Sequence, residues 1–123
     1  MKATKKKVTP LPKLLKKAEK TFNAYVRRRD EGLNCISCSN PISQAGHYFP
    51  VRGFSAIRFH EHNVNGQCSS CNCYQYGNQA MYRMGLVRKI GAKAVEELER
   101  IATEERVKKW SRSELLEIIQ KYA

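Results

Sequence analysis

The chain has 123 residues, a formal net charge of +12, five cysteines and a mean hydropathy of −0.60. That length suits one domain, no apolar run approaches the roughly 20 residues of a membrane span, and the odd cysteine count argues against a closed disulfide framework. The basic excess points to a polyanionic partner, with nucleic acid the best fit, because clustered lysine and arginine release counterions from a phosphate backbone.

Charge is uneven along the chain. Residues 1–34 carry 11 basic and 3 acidic side chains, residues 35–78 carry 2 and 1, and residues 79–123 carry 10 and 7. Residues 1–12 read as a basic arm, MKATKKKVTPLP, which leads into charged helix and not into a hydrophobic signal region. A cytoplasmic protein without a membrane partner is the expectation. Residues 13–31 read as a basic amphipathic helix, with Leu15, Ala18, Phe22, Tyr25 and Val26 on the apolar stripe and Gly32 as its stop. The stripe is expected to pack into the core, and Arg27, Arg28 and Arg29 are candidates for phosphate contact. Lys16, Lys20, Arg52, Arg58 and Arg83 complete the candidate DNA-binding set.

From Cys35 the composition shifts to Gly, Pro, Ser and Asn around short apolar runs. HYFPV at 47–51 and AIRFH at 56–60 read as two short strands joined by a loop around Arg52 and Gly53. Residues 69–76 suit a short helix, Gln79–Lys89 a second and Ala92–Glu105 a third, with Gly77, Gly85 and Gly91 as breaks or close-packing points. Ser111 and Glu114 have capping-box spacing before a last helix carrying Leu115, Leu116, Ile118, Ile119 and Tyr122. Its stripe is expected in the core, with an oligomer interface as the alternative. The fold class is α+β in one domain over 1–123: a zinc-braced centre at 35–78 flanked by helices, with a helical part at 79–123.

The strongest motif is CxxC, 29 intervening residues, CxxC. Cys35, Cys38, Cys68 and Cys71 would give four thiolates to a tetrahedral Zn²⁺ from two knuckle-like turns. Cys73 is left over and is expected to be a buried free thiol. A plain zinc knuckle would not require what the hooks enclose: QAGHY at 44–48, HEHN at 60–63, and Asn72 directly after Cys71. A strand-end His, then an Asn, then a hook followed at once by Asn resembles the order of the HNH, or ββα-metal, nucleases. In them zinc hooks brace a hairpin and helix around one catalytic divalent metal.

His47, Asn63 and Asn72 occupy the three places. Phosphodiester hydrolysis needs a base for water, a cation for the developing charge and fixed geometry. An imidazole suits the base, with an ordinary pKa of about 6.5. Asn63 is expected to hold the loop that carries His47, and Asn72 to present its carbonyl oxygen to Mg²⁺ or Mn²⁺. Many HNH enzymes place an acidic ligand directly before the base, where this chain has Gly46. Gln44, His62 or Asn65, or water, would fill that place.

The chain also resembles, over nearly its whole length, the phage NinG (Rap) recombination proteins. The shared stretches run from FNAYVRRRD into CISC, through QAGHY, RFHEHNVNGQCSSCN and YGN, to YRMGLVRKIG, AVEELE and KKW. The family often reads Asn-Ile/Val-His before the second hook, where this chain has Asn63, Val64 and Asn65. The resemblance implies a structure-specific endonuclease that nicks branched DNA, such as Holliday junctions and D-loops, in phage recombination inside the bacterial host. Symmetric resolution of a junction would be simplest for a homodimer. A non-catalytic, zinc-stabilised nucleic-acid-binding module would explain the hooks and the charge equally, but not the nuclease order of GHY, HN and CN. A structural zinc protein for an acidic protein partner explains the charge less well than either.

Overall fold

The computed structural model describes residues 8–75 and 78–123. The lysine cluster at 1–7, Gly77 and Tyr76, the last residue of the expected helix at 69–76, lie outside the described residues. Helix α1 spans Leu11–Arg29, two residues earlier at each end than the expected 13–31. Pro12 sits in its first turn, where a missing N–H breaks no helical bond, so the proline starts the helix and does not precede it. Asp30 is the C-cap, and Gly32 takes φ 85° in the turn beyond.

Leu14, Ala18, Phe22 and Val26 recur every four residues on α1 and are buried. They pack against Leu115 and Tyr122 of helix α4, Arg112–Tyr122, together with Phe59 and Val64. The Phe22 and Tyr122 rings meet edge to face at 4.8 Å between centroids, and the Phe22 and Phe59 rings do so at 5.7 Å. Helix α4 opens on the capping box read from sequence: the Ser111 hydroxyl accepts the Glu114 amide, and the Glu114 carboxylate accepts the Ser111 amide. Its buried stripe serves this first core.

The strands differ from the sequence reading. β1 is Gln44–His47 and β2 is Val64–Gln67, antiparallel, with Gln44 opposite Gln67 and His47 opposite Val64. HYFPV contributes only His47, because the amides of Tyr48 and Phe49 go to the backbone and side chain of Asn63 instead of a partner strand. AIRFH is no strand. Ser55–Ile57 closes a 3₁₀ turn, so that Ile57 enters one core and Phe59 the other, and Arg52 and Gly53 lie in the loop before it. Alternation then sends Ala45, His47 and Val64 to the α1 side, and Gln44, Gly46, Asn65 and Gln67 to the other.

That other side meets a second core. Helices α2, Gln79–Ile90, and α3, Ala92–Glu104, turn at Gly91 (φ 89°) and bury Tyr82, Leu86, Val95, Leu98 and Ala102 around Ile57. The expected helix at 69–76 is a shorter π-type turn, Ser70–Tyr74, directly after the second hook. Asp30 pins the layers together. Its carboxylate, 2% exposed, accepts hydrogen bonds from Arg29, from Lys89 of α2 and from the Gly66 amide of β2. Among the described residues no helix is long and apolar enough to cross a membrane.

Candidate functional site

Each cysteine hook is a tight turn shaped by its own backbone. Around the first, Ser39 takes φ 67° and donates its amide to the Cys35 carbonyl at 3.0 Å, while the Cys35 amide donates to the Asn40 carbonyl at 2.7 Å. In the second, the Cys71 amide donates to the Cys68 sulfur at 3.4 Å, as a turn that stabilises a thiolate would. The four Sγ atoms of Cys35, Cys38, Cys68 and Cys71 lie within 4.8 Å of one another, with Cys38 and Cys68 at 3.5 Å. Sulfurs bound to zinc at about 2.3 Å stand about 3.8 Å apart in a tetrahedron, so the spacing fits one structural Zn²⁺.

Charge gives a second reason for a cation. Burial pushes the Cys71 thiol up to about 12. At Cys68 burial acts in the same direction but is outweighed by the Cys71 amide and the Cys38 thiol, leaving it at about 7. Four sulfurs this close cannot all ionise without a positive centre between them. Cys73 does not share the cluster. It is exposed, contrary to the expected buried thiol, because the π-type turn carries it past the hook to where its sulfur lies 3.3 Å from Gln44 Oε1.

Asn63 is fully buried and acts as a clamp on the segment leaving β1. Its Oδ1 accepts the Phe49 amide at 2.8 Å, and its Nδ2 donates to the carbonyls of Phe49 at 3.0 Å and Ile57 at 3.3 Å. Its backbone carbonyl takes the Tyr48 amide at 2.8 Å. From the other side Tyr82 donates its hydroxyl to the Gly46 carbonyl at 2.7 Å. His47 is therefore held between two clamped neighbours.

The half-buried His47 ring lies on the α1 side, its Nε2 3.3 Å from the Arg58 carbonyl. A carbonyl only accepts, so Nε2 carries the proton and Nδ1 is left as the basic nitrogen. Burial holds His47 below the usual imidazole range, with the Arg58 carbonyl acting in the opposite direction. The ring is neutral at pH 7.

Asn72 stands on the opposite face. Its Nδ2 donates to Gln44 Oε1 at 2.7 Å, and its Oδ1 lies 3.0 Å from where a side chain on Gly46 would begin. Gln67 Oε1 is closer still, at 1.8 Å, so no acidic residue fits at position 46 without moving it. The site beside Gly46 is thus lined by neutral amides. Gln44 and Asn72 come together, whereas the other two metal candidates lie elsewhere. Asn65 donates to the Tyr82 hydroxyl at 3.1 Å and to the His62 carbonyl at 3.0 Å, and its Oδ1 accepts from Lys89 at 2.7 Å. Those bonds leave its carbonyl oxygen inside the Asp30 network, away from Asn72. His62 is exposed on a cleft with His60 and Glu61.

The basic candidates divide in the same way. Lys16, Lys20, Arg27, Arg28 and Arg52 are exposed. Arg29 is engaged by Asp30, by the Glu61 and Val64 carbonyls and by Asn65. Arg58 is 8% exposed and ion-paired with Glu19 at 3.0 Å, and the exposed Arg83 is paired with Glu99 at 2.9 Å. Arg29 and Arg58 are struts of the fold and not free phosphate contacts. Sequence reasoning missed the parts played by Tyr82, Asp30 and the Arg58 carbonyl. Tyr82 reads as one more apolar helix position, Asp30 as a helix-end charge, and a carbonyl leaves no mark on sequence.

A family profile described as Bacteriophage Lambda NinG protein matches residues 1–123. Protein ninG of Escherichia phage lambda is 38% identical over 102 residues, covering 80% of this chain and 50% of that protein. Protein ninG of Salmonella phage P22 has the same identity and coverage. Protein ninG of Enterobacteria phage H19B is 40% identical over 88 residues, covering 69% of this chain and 44% of its own. The chain spans about half the length of these curated relatives. No solved structure matches it.

Proposed function

The chain belongs to the bacteriophage lambda NinG protein family, and from that membership we propose a zinc-braced, metal-dependent endonuclease that nicks branched DNA in phage recombination within the bacterial host. The observation that carries the reading is His47: a neutral ring at a strand end, its Nε2–H given to the Arg58 carbonyl, one residue from the glycine over which Asn72 stands. That tautomer leaves Nδ1 to accept a proton from water. A base already deprotonated near pH 7 and held by clamped neighbours is what general-base hydrolysis asks of a side chain.

Gln44 and Asn72 would hold Mg²⁺ or Mn²⁺ through amide oxygens, and the ion would supply Lewis-acid stabilisation of the phosphate. Neutral amides bring no charge, so phosphate oxygens of the substrate would complete the shell. The zinc cluster keeps the π-type turn, and with it Asn72, beside β1. The exposed Lys16, Lys20, Arg27 and Arg28 of α1, with Arg52, offer the phosphate-binding face. Two nicks on a symmetric junction would call for two chains.

The amide-only lining favours one competitor, a zinc-stabilised module that binds DNA without cutting it. Incubation with an end-labelled four-way junction, with and without Mg²⁺, separates the two. The nuclease reading expects metal-dependent nicks near the branch point, and retention of an intact junction at every Mg²⁺ and Mn²⁺ concentration would favour the module.

A further inference from the structure

Where the first turns of α1 and α4 meet the segment before α4, the surface forms a groove of about 600 Å³ whose floor is Leu11, Leu15, Leu115 and Trp110. Lys108 and Lys109 line it, and among the described residues no acidic side chain does. Trp110 is fixed: its indole Nε1–H donates to the Ser55 carbonyl at 2.9 Å, and its ring meets Phe59 edge to face at 5.0 Å. Lys108 reaches over the same ring, its Nζ 4.4 Å from the centroid, and pairs with Glu114. Around this floor the chain leaves further apolar surface uncovered, with Leu11 43% and Val107 73% exposed, and Val8 and Leu116 exposed on the adjoining turns.

Exposed apolar side chains gathered on the segments that form one groove mark a contact surface. Their rim decides what fits. A rim lysine would meet phosphate or carboxylate alike, but a phosphate backbone has no apolar group to seat on the floor, and a phosphate buried there would lose its water. Lys109 at the rim, on a chain of net charge +12, attracts an acidic partner and repels a second copy of this chain. We propose that this groove docks an acidic peptide segment of another protein, with one or two apolar anchors seated between Leu11, Leu15, Leu115 and Trp110 and its carboxylates on Lys109 at the rim. The surface is separate from His47 and Asn72, and the inference stands whether or not the chain cuts DNA.

Trp110 is the one tryptophan of the chain, so its emission reports the groove directly. The probe is a fluorescein-labelled synthetic peptide alternating Asp with Leu and Phe, titrated against the full chain by anisotropy, with an unlabelled copy for Trp110 emission. Binding with a shift of Trp110 emission is expected. Leu11→Glu and, separately, Lys109→Glu are expected to weaken it by about tenfold or more, the scale of one buried leucine or one close charge reversal. Both side chains are exposed, so each variant retains the fold, checked by circular dichroism, and its affinity for a four-way junction. Several results would overturn the proposal. A peptide with Ser for every apolar residue binding equally would reduce it to general attraction of polyanions. Full displacement by the junction with the same salt dependence would give the groove to DNA. A mass that doubles with concentration while Trp110 emission shifts would give it to a second copy, and absence of binding would remove it.

Discussion

Asp30 shows how one residue can hold a small fold. Burial acts to raise its pKa, but hydrogen bonds from Arg29, Lys89 and the Gly66 amide outweigh it and leave the carboxyl at about 2. Its folded pKa lies below the unfolded one, so the stabilisation is full above about pH 4 and is lost as pH falls toward 2. The shift corresponds to about 2 kcal/mol. Urea midpoints measured between pH 6 and pH 2.5 are expected to fall steeply for the wild type. Asp30→Asn, already missing the charge, is expected to start about 3 kcal/mol lower at pH 6 and to show a flatter acid limb. Parallel acid limbs in the two proteins would contradict the assignment. None of this was legible in the run RRRD, where Asp30 looks like any helix-end acid. Two of its three partners, Gly66 and Lys89, come from distant parts of the chain.

At the scale of elements, Gly85 decides how closely α2 approaches the first hook. A side chain there would begin 1.8 Å from the Ile36 carbonyl oxygen, a backbone atom that cannot rotate away. Helix propensity alone would make Gly85→Ala favourable by about 1 kcal/mol. The clash opposes it, and forcing a methyl into packed structure costs about 1 to 3 kcal/mol. The expected outcome is a lower urea midpoint, and a higher one would show that α2 stands off the hook. The helices were legible because their signals are local: the stripe of α1, the Ser111 and Glu114 box, and the Gly91 break. The strands were not. VNGQ of β2 has no alternating apolar pattern, and its Asn65 and Gln67 are buried polar residues whose partners are tertiary. AIRFH has the pattern without the structure, since Ile57 and Phe59 are drawn to two different cores.

For the whole molecule, the cysteine cluster joins the first hook after α1, the second hook after β2 and the π-type turn that carries Asn72. Structural zinc contributes about 10 to 16 kcal/mol in small zinc-finger peptides, more than the net stability of an ordinary domain. Metal analysis is expected to give one zinc per chain. Removing it with a strong chelator at neutral pH is expected to abolish the near-ultraviolet signal of the packed aromatics, with Cys71→Ser doing the same. A chain that stays folded without zinc would contradict the bracing role.

In the proposed nuclease this brace fixes His47, the general base, on one face of the hairpin and Asn72, a metal ligand, on the other. The hooks and the order of His47, Asn63 and Asn72 could be read from sequence. The tautomer could not, because it depends on a backbone carbonyl. The most direct measurement is single-turnover cleavage of an end-labelled four-way junction across a Mg²⁺ titration, comparing wild type, His47→Ala and Asn72→Ala at matched zinc content and junction affinity. His47→Ala is expected to cut about 10² to 10⁴ times more slowly at saturating Mg²⁺, and Asn72→Ala to need more Mg²⁺ for half-maximal rate. Cleavage by His47→Ala at the wild-type rate would contradict the role of His47 as the base.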